Sequence, residues 1–175
     1  MRPGSYTLMC HAVREAASVE TGLRRALRFL KVAIDEPFGT LNINAGVAQI
    51  TLHDSRPDRS AFAYRTFWVI LHGLTCWLAR TRIQPQGLGL TCRAPREADD
   101  YRDFFGAPVA FDAPVGWMRY DARALTKPVR RSEDPMKRFL RAAPGNFLLP
   151  YRPDEGALAL ISQRLAQTPP DEWPD

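Results

Sequence analysis

SAFAYRTFWVILHGLTCWLART, residues 60–81, is the stretch on which the fold turns. Phe67, Ile70, Leu71, Leu74, Trp77 and Leu78 recur at three- and four-residue steps, the spacing that places side chains on one face of an α-helix. Ser60 stands where a hydroxyl can accept from a backbone N–H that lacks a helical partner. The segment predicts a long helix through about Thr81, packed at the centre of a core. Beside the apolar face runs a second one, Tyr64, Trp68, His72 and Thr75, with aromatic bodies and a few polar tips.

Upstream, Ser5 is expected to cap a helix through about Ala17. Ser18 is expected to cap a second, in which Leu23, Ala26, Leu27, Leu30, Ala33 and Ile34 form an apolar stripe. Pro37 and Gly39 end that pattern. Thr40 to Asn44 and Val47 to His53 then read as a β-hairpin around Ala45 and Gly46, with Leu41, Ile43, Ile50 and Leu52 pointing inward.

Downstream, Leu88, Leu90 and Cys92 alternate with Gly89 and Thr91 as a strand whose glycines admit a close neighbour. A short helix opened by Pro95 carries Ala98, Tyr101, Phe104 and Phe105 and ends at Gly106. Val109 and Phe111, the turn Ala113–Gly116 and Trp117 to Tyr120 predict a second hairpin. Two further short helices start near Asp134 and Asp154. The whole order predicts an α+β domain: an antiparallel sheet of about five strands packed against a long central helix and several shorter helices. Strand order is not written in the pattern.

The chain has 175 residues, 45% hydrophobic and 25% charged, the balance of one globular core. Its net charge of +5 is mild. The basic clusters, Arg24, Arg25, Arg28 and Lys31, then Lys127, Arg130, Arg131, Lys137, Arg138 and Arg141, lack interleaved aromatic residues, so they read as solvated helix faces rather than a nucleic-acid surface. Cys10, Cys76 and Cys92 are odd in number and widely spaced, which suits a reducing cytoplasm better than a disulfide framework. No run approaches the roughly 20 apolar residues of a membrane span, so a soluble, cytoplasmic protein without membrane partners is expected.

Glycine patterns for dinucleotide or nucleotide phosphates are missing, as is a GxSxG nucleophile elbow. His72 and Cys76, four residues apart on the long helix, are the one pair that could join an imidazole to a thiolate for metal binding or thiol chemistry. The same pair also suits a partly polar packing seam. Asp99, Asp100 and Asp103 fall early in a helix, where the backbone dipole favours carboxylates. The expectation is no enzyme, no metal and no cofactor.

A small-molecule pocket is the chemistry that the second face of the long helix supports best. Tyr64, Trp68, His72, Thr75 and Cys76 would line it, and Met9, Phe104, Phe111 and Trp117 would close it. Each of these residues is equally suited to solid packing.

Several segments taken together resemble a known family: MRPGSYTLMCHAV at residues 1–13, ALRFLKV at 26–32, FWVILHGLTCWLARTRI at 67–83, and YRDFFGAPVAFDAP at 101–114 with MRYDARALTKPV at 118–129. The chain is similar to the arabinose-binding-type N-terminal domain of AraC-family transcriptional regulators. That resemblance implies a bacterial effector-sensing and dimerisation domain, here residues 1–167. It implies further sensory sequence ahead of Met1 and helix-turn-helix units after the chain, to which residues 168–175 begin the linker. An unidentified small-molecule effector, a homodimer, and DNA contact only through the helix-turn-helix units follow from the same resemblance. The rival readings are a ligand-free interaction module and, further off, a thiol or serine hydrolase built on His72.

Overall fold

The computed structural model describes residues 2–56, 59–129 and 131–141. The chain begins with α1 (Ser5–Val13) and α2 (Val19–Ile34), followed by the hairpin β1 (Phe38–Asn44) and β2 (Val47–His53). Next come the long helix α3 (Ala61–Ala79), β3 (Gly87–Gly89), α4 (Ala98–Phe105), β4 (Val109–Ala110) and β5 (Gly116–Asp121). Two helices, α5 (Ala122–Leu125) and α6 (Glu133–Arg141), complete the described part. The five strands form one sheet in the order β1-β2-β5-β3-β4, antiparallel except for the β3–β4 pair. The α+β architecture expected from the sequence is the one observed.

Local chemistry accounts for most element ends. The Ser18 side chain accepts from Thr21 N and caps α2, and Ser60 accepts from Ala63 N and caps α3. Ser5 does not cap: it is the first residue of α1, Gly4 precedes it in the left-handed region, and the helix stops at Val13. The β1–β2 turn places Ala45 at φ 48° and Gly46 at φ 79°, the two positive values that a tight turn matched to strand twist requires.

The sheet buries one face. Leu41, Ala48, Ile50, Leu52, Leu88, Met118 and Tyr120 are each no more than 5% exposed and meet the helices. On the other face Thr40, Asn42 and Arg119 are exposed. Ile43, expected inward, is 38% exposed because its strand has by then run past the helix layer towards the turn. The long helix is buried almost all round, from Tyr64 to Ala79, so its second face is core as well as its first.

The second hairpin expected at Val109–Tyr120 does not form. After the two-residue β4, the Asp112 and Ala113 amides turn back to the Cys92 and Leu90 carbonyls. The chain then delivers β5 between β2 and β3, while β4 pairs in parallel with β3 across the α4 crossover. Two features favour the central slot. Met118 and Tyr120 fill the inner face, and Trp117 on the outer face needs the bare backbone of Gly87 and Gly89 beside it.

Candidate functional site

An open cleft of about 670 Å³ lies at the end of the sheet where β2 leaves and β5 enters. Leu52, Pro114 and Val115 give it an apolar side, and Glu36, Asp54, Tyr64 and Thr91 a polar one. Its polar wall is built in advance. Asp54 Oδ2 takes a 2.5 Å ion pair from Arg59 Nε and a 3.1 Å hydrogen bond from the Tyr64 hydroxyl, and Asp54 Oδ1 accepts from the Arg56 amide. The Asp54 side chain is only 7% exposed. A second Arg59 nitrogen donates to the Glu36 carbonyl at 3.0 Å, and both Ser55 donors reach Glu36 Oε2. Burial raises the Tyr64 phenol above its ordinary value; the Thr91 hydroxyl opposes this and the Asp54 charge adds to it. Tyr64 therefore donates its proton to Asp54 rather than ionising.

A second groove, about 540 Å³, runs between α2 and the first half of α3. Glu36 lines both hollows, and Arg59 lines this one. The Asp54–Arg59–Glu36 network is thus the wall between them.

Farther along α3, a directed chain of hydrogen bonds ties the helix to β5. The Tyr120 hydroxyl donates to Met118 Sδ at 2.8 Å, so Nδ1 of His72 must donate to the Tyr120 oxygen at 3.0 Å. Nε2 of His72 then presents its lone pair to Cys76 Sγ, 3.6 Å away. Burial, reinforced by the positive Arg82, pushes His72 down to about 4. Burial also pushes the Cys76 thiol up to about 11, although the Ile83 amide and Arg82 favour its thiolate. The pair is neutral thiol and neutral imidazole at pH 7, and the group behind His72 is a phenol where a triad has a carboxylate. Among the described residues no three His, Cys, Asp or Glu side chains are grouped to hold a metal ion.

The other candidate residues are dispersed. Met9, Trp68, Thr75 and Cys76 lie in the core with no exposed surface. Among the described residues the indole N–H of Trp68 has no acceptor. Phe104 packs on Phe105 under Arg65, and Phe111 packs edge-on against Tyr101. Trp117 lies on the far face of the sheet, under the Arg119 guanidinium at 4.4 Å. Of the nine, Tyr64 is the one that lines the cleft.

Asp54, Arg59 and Glu36 escaped the sequence reading because they look like an ordinary charged loop. Arg131 escaped it as well, being counted among solvated charges. It is 6% exposed; its Nε donates to the Trp77 carbonyl at 2.8 Å, a second guanidinium nitrogen donates to the same oxygen, and its charge lies 4.9 Å from the Trp77 ring. Arg24 is similarly committed, bridging Glu20 and the Leu41 carbonyl.

The fold is thus a mostly antiparallel sheet that carries one long buried helix and has an open, partly charged cleft at one end. The family model described as the arabinose-binding domain of AraC transcription regulators, N-terminal, matches residues 1–129, and the chain belongs to that family of ligand-sensing regulatory domains. The crystal structure of the transcriptional regulator CdpR from Pseudomonas aeruginosa shares the fold, with a TM-score of 0.51 at 16% identity over 100% of this chain. The present chain spans 58% of the CdpR chain. No curated protein matches it. Among the described residues no helix is long and apolar enough to cross a membrane.

Proposed function

We propose that this chain senses a small molecule in the cleft beside Tyr64 and thereby controls the DNA-binding part of an AraC-type regulator in the cytoplasm. The observation that carries this reading is the prebuilt wall of Asp54, Arg59 and Tyr64, whose hydrogen bonds are satisfied before any ligand arrives, so binding there orders little. The effector is a compact molecule with an apolar body against Leu52, Pro114 and Val115 and polar groups toward Tyr64 and Glu36. In this reading the domain is a sensor rather than an enzyme: the Cys76 thiol is fully buried, and a phenol stands behind His72 where a catalytic triad has a carboxylate. It works as a homodimer, which light scattering on the purified chain tests directly.

A ligand that prefers one conformation of the domain shifts its population, and this differential affinity is the whole of the control. A thermal-shift screen of metabolites tests the site. A hit at 100 times its Kd stabilises by about 2.7 kcal/mol. Tyr64→Phe and Asp54→Asn should abolish the shift. Hits that persist unchanged in both variants would place the effector elsewhere.

A further inference from the structure

The long helix α3 is held at both ends by polar contacts to other parts of the chain. At its first turns, Tyr64 is tied to Asp54 and through it to Arg59. At its last, the Trp77 carbonyl accepts from the Arg80 amide at 3.2 Å and keeps a lone pair for further donors. Arg131 takes that carbonyl with two nitrogens, its charge complementing the negative end of the helix dipole. Phe139 of α6 stacks on the Trp77 ring at 4.7 Å and 15°. With 19 residues, α3 is about 28 Å long, and a buried helix transmits displacement as a rigid body.

We infer that Arg131 and Phe139 form the output end of the sensor, reading at Trp77 any shift of α3 produced in the cleft at Tyr64. The inference rests on the cleft being the effector site. The family description places this domain at the N-terminal end of its regulators, so a signal for the remainder leaves on the C-terminal side, where Arg131 and α6 lie. Arg131 is a positioning residue in this scheme. It touches no ligand and acts by fixing where α6 sits relative to α3.

Amide hydrogen exchange on the whole 175-residue chain, without any ligand, tests the coupling. Tyr64→Phe should speed exchange of the amides in residues 131–141 at least threefold, and Arg131→Met should do the same for residues 54–64. Arg131→Lys, which keeps one donor for the carbonyl, should restore part of the protection. Should Arg131→Met fail to fold, Phe139→Leu serves in its place. Changes confined to the substituted end in both directions would overturn the inference. Because no ligand is used, the two failures are distinguishable: absent coupling removes this inference and leaves the cleft reading, whereas a metabolite screen that locates the effector elsewhere removes the cleft reading and leaves only the mechanical link between the ends of α3.

Discussion

Trp117 occupies the space that a side chain on Gly89 would need: a Cβ built there stands 2.2 Å from the indole nitrogen and 2.7 Å from two ring carbons. The central position of β5 depends on this vacancy, since the register sets Gly89 opposite Trp117. Gly89→Ala should therefore destabilise the domain by about 1–3 kcal/mol, the usual range for overpacking. Adding Trp117→Val should recover part of the loss. Urea unfolding of the single and double variants measures both.

Ala45 holds φ at 48°, where a Cβ is unwelcome, ahead of Gly46 at 79°. Asparagine tolerates that conformation better and gives the Asn-Gly pair favoured in such turns. Ala45→Asn should stabilise by about 0.5–1 kcal/mol. A rise in the thermal midpoint with an unchanged denaturant slope is the expected reading.

The fold holds His72 below the ordinary imidazole value, at about 4 against 6.5. Between these two values the unfolded chain binds a proton that the folded chain refuses. Stability from this group is therefore complete above about pH 6.5 and declines as pH falls toward 4, by at most about 3 kcal/mol. His72→Gln should flatten that part of the stability profile, which chemical denaturation at a series of pH values records.

Cys10 and Cys76 are fully buried, and burial pushes their thiols up to about 12 and about 11. Cys92 is partly exposed and its thiol is raised too, chiefly by burial. Iodoacetamide at pH 8 should modify Cys92 first, leaving the other two until the chain unfolds. Mass spectrometry of peptides from a time course shows the order.

Trp68 buries an N–H that finds no acceptor among the described residues, a state that costs about 1–3 kcal/mol. Trp68→Phe removes that donor along with some packing area. The two effects offset, so the variant should stay within about 1.5 kcal/mol of the parent. Urea unfolding of both proteins measures the difference.

Much of this molecule is local in origin. The periodicity of residues 60–81 determined α3, the serines at 18 and 60 determined where two helices begin, and Ala45–Gly46 determined the first turn, because each depends on neighbours within a few positions. The second helix expected at Asp154 lies outside the described residues. The family resemblance was also legible, through spaced segments rather than any one residue. What tertiary structure alone decided is the placing of β5 between β2 and β3, the cleft wall of Glu36, Asp54 and Arg59, and the burial of Arg131 on Trp77. Strand register joins residues up to 74 positions apart, as Val47 and Asp121 show, and side-chain partnership joins Arg119 to Gln49 across 70. A charge reads the same in sequence whether water or a distant carbonyl will solvate it, and only the folded chain supplies the carbonyl.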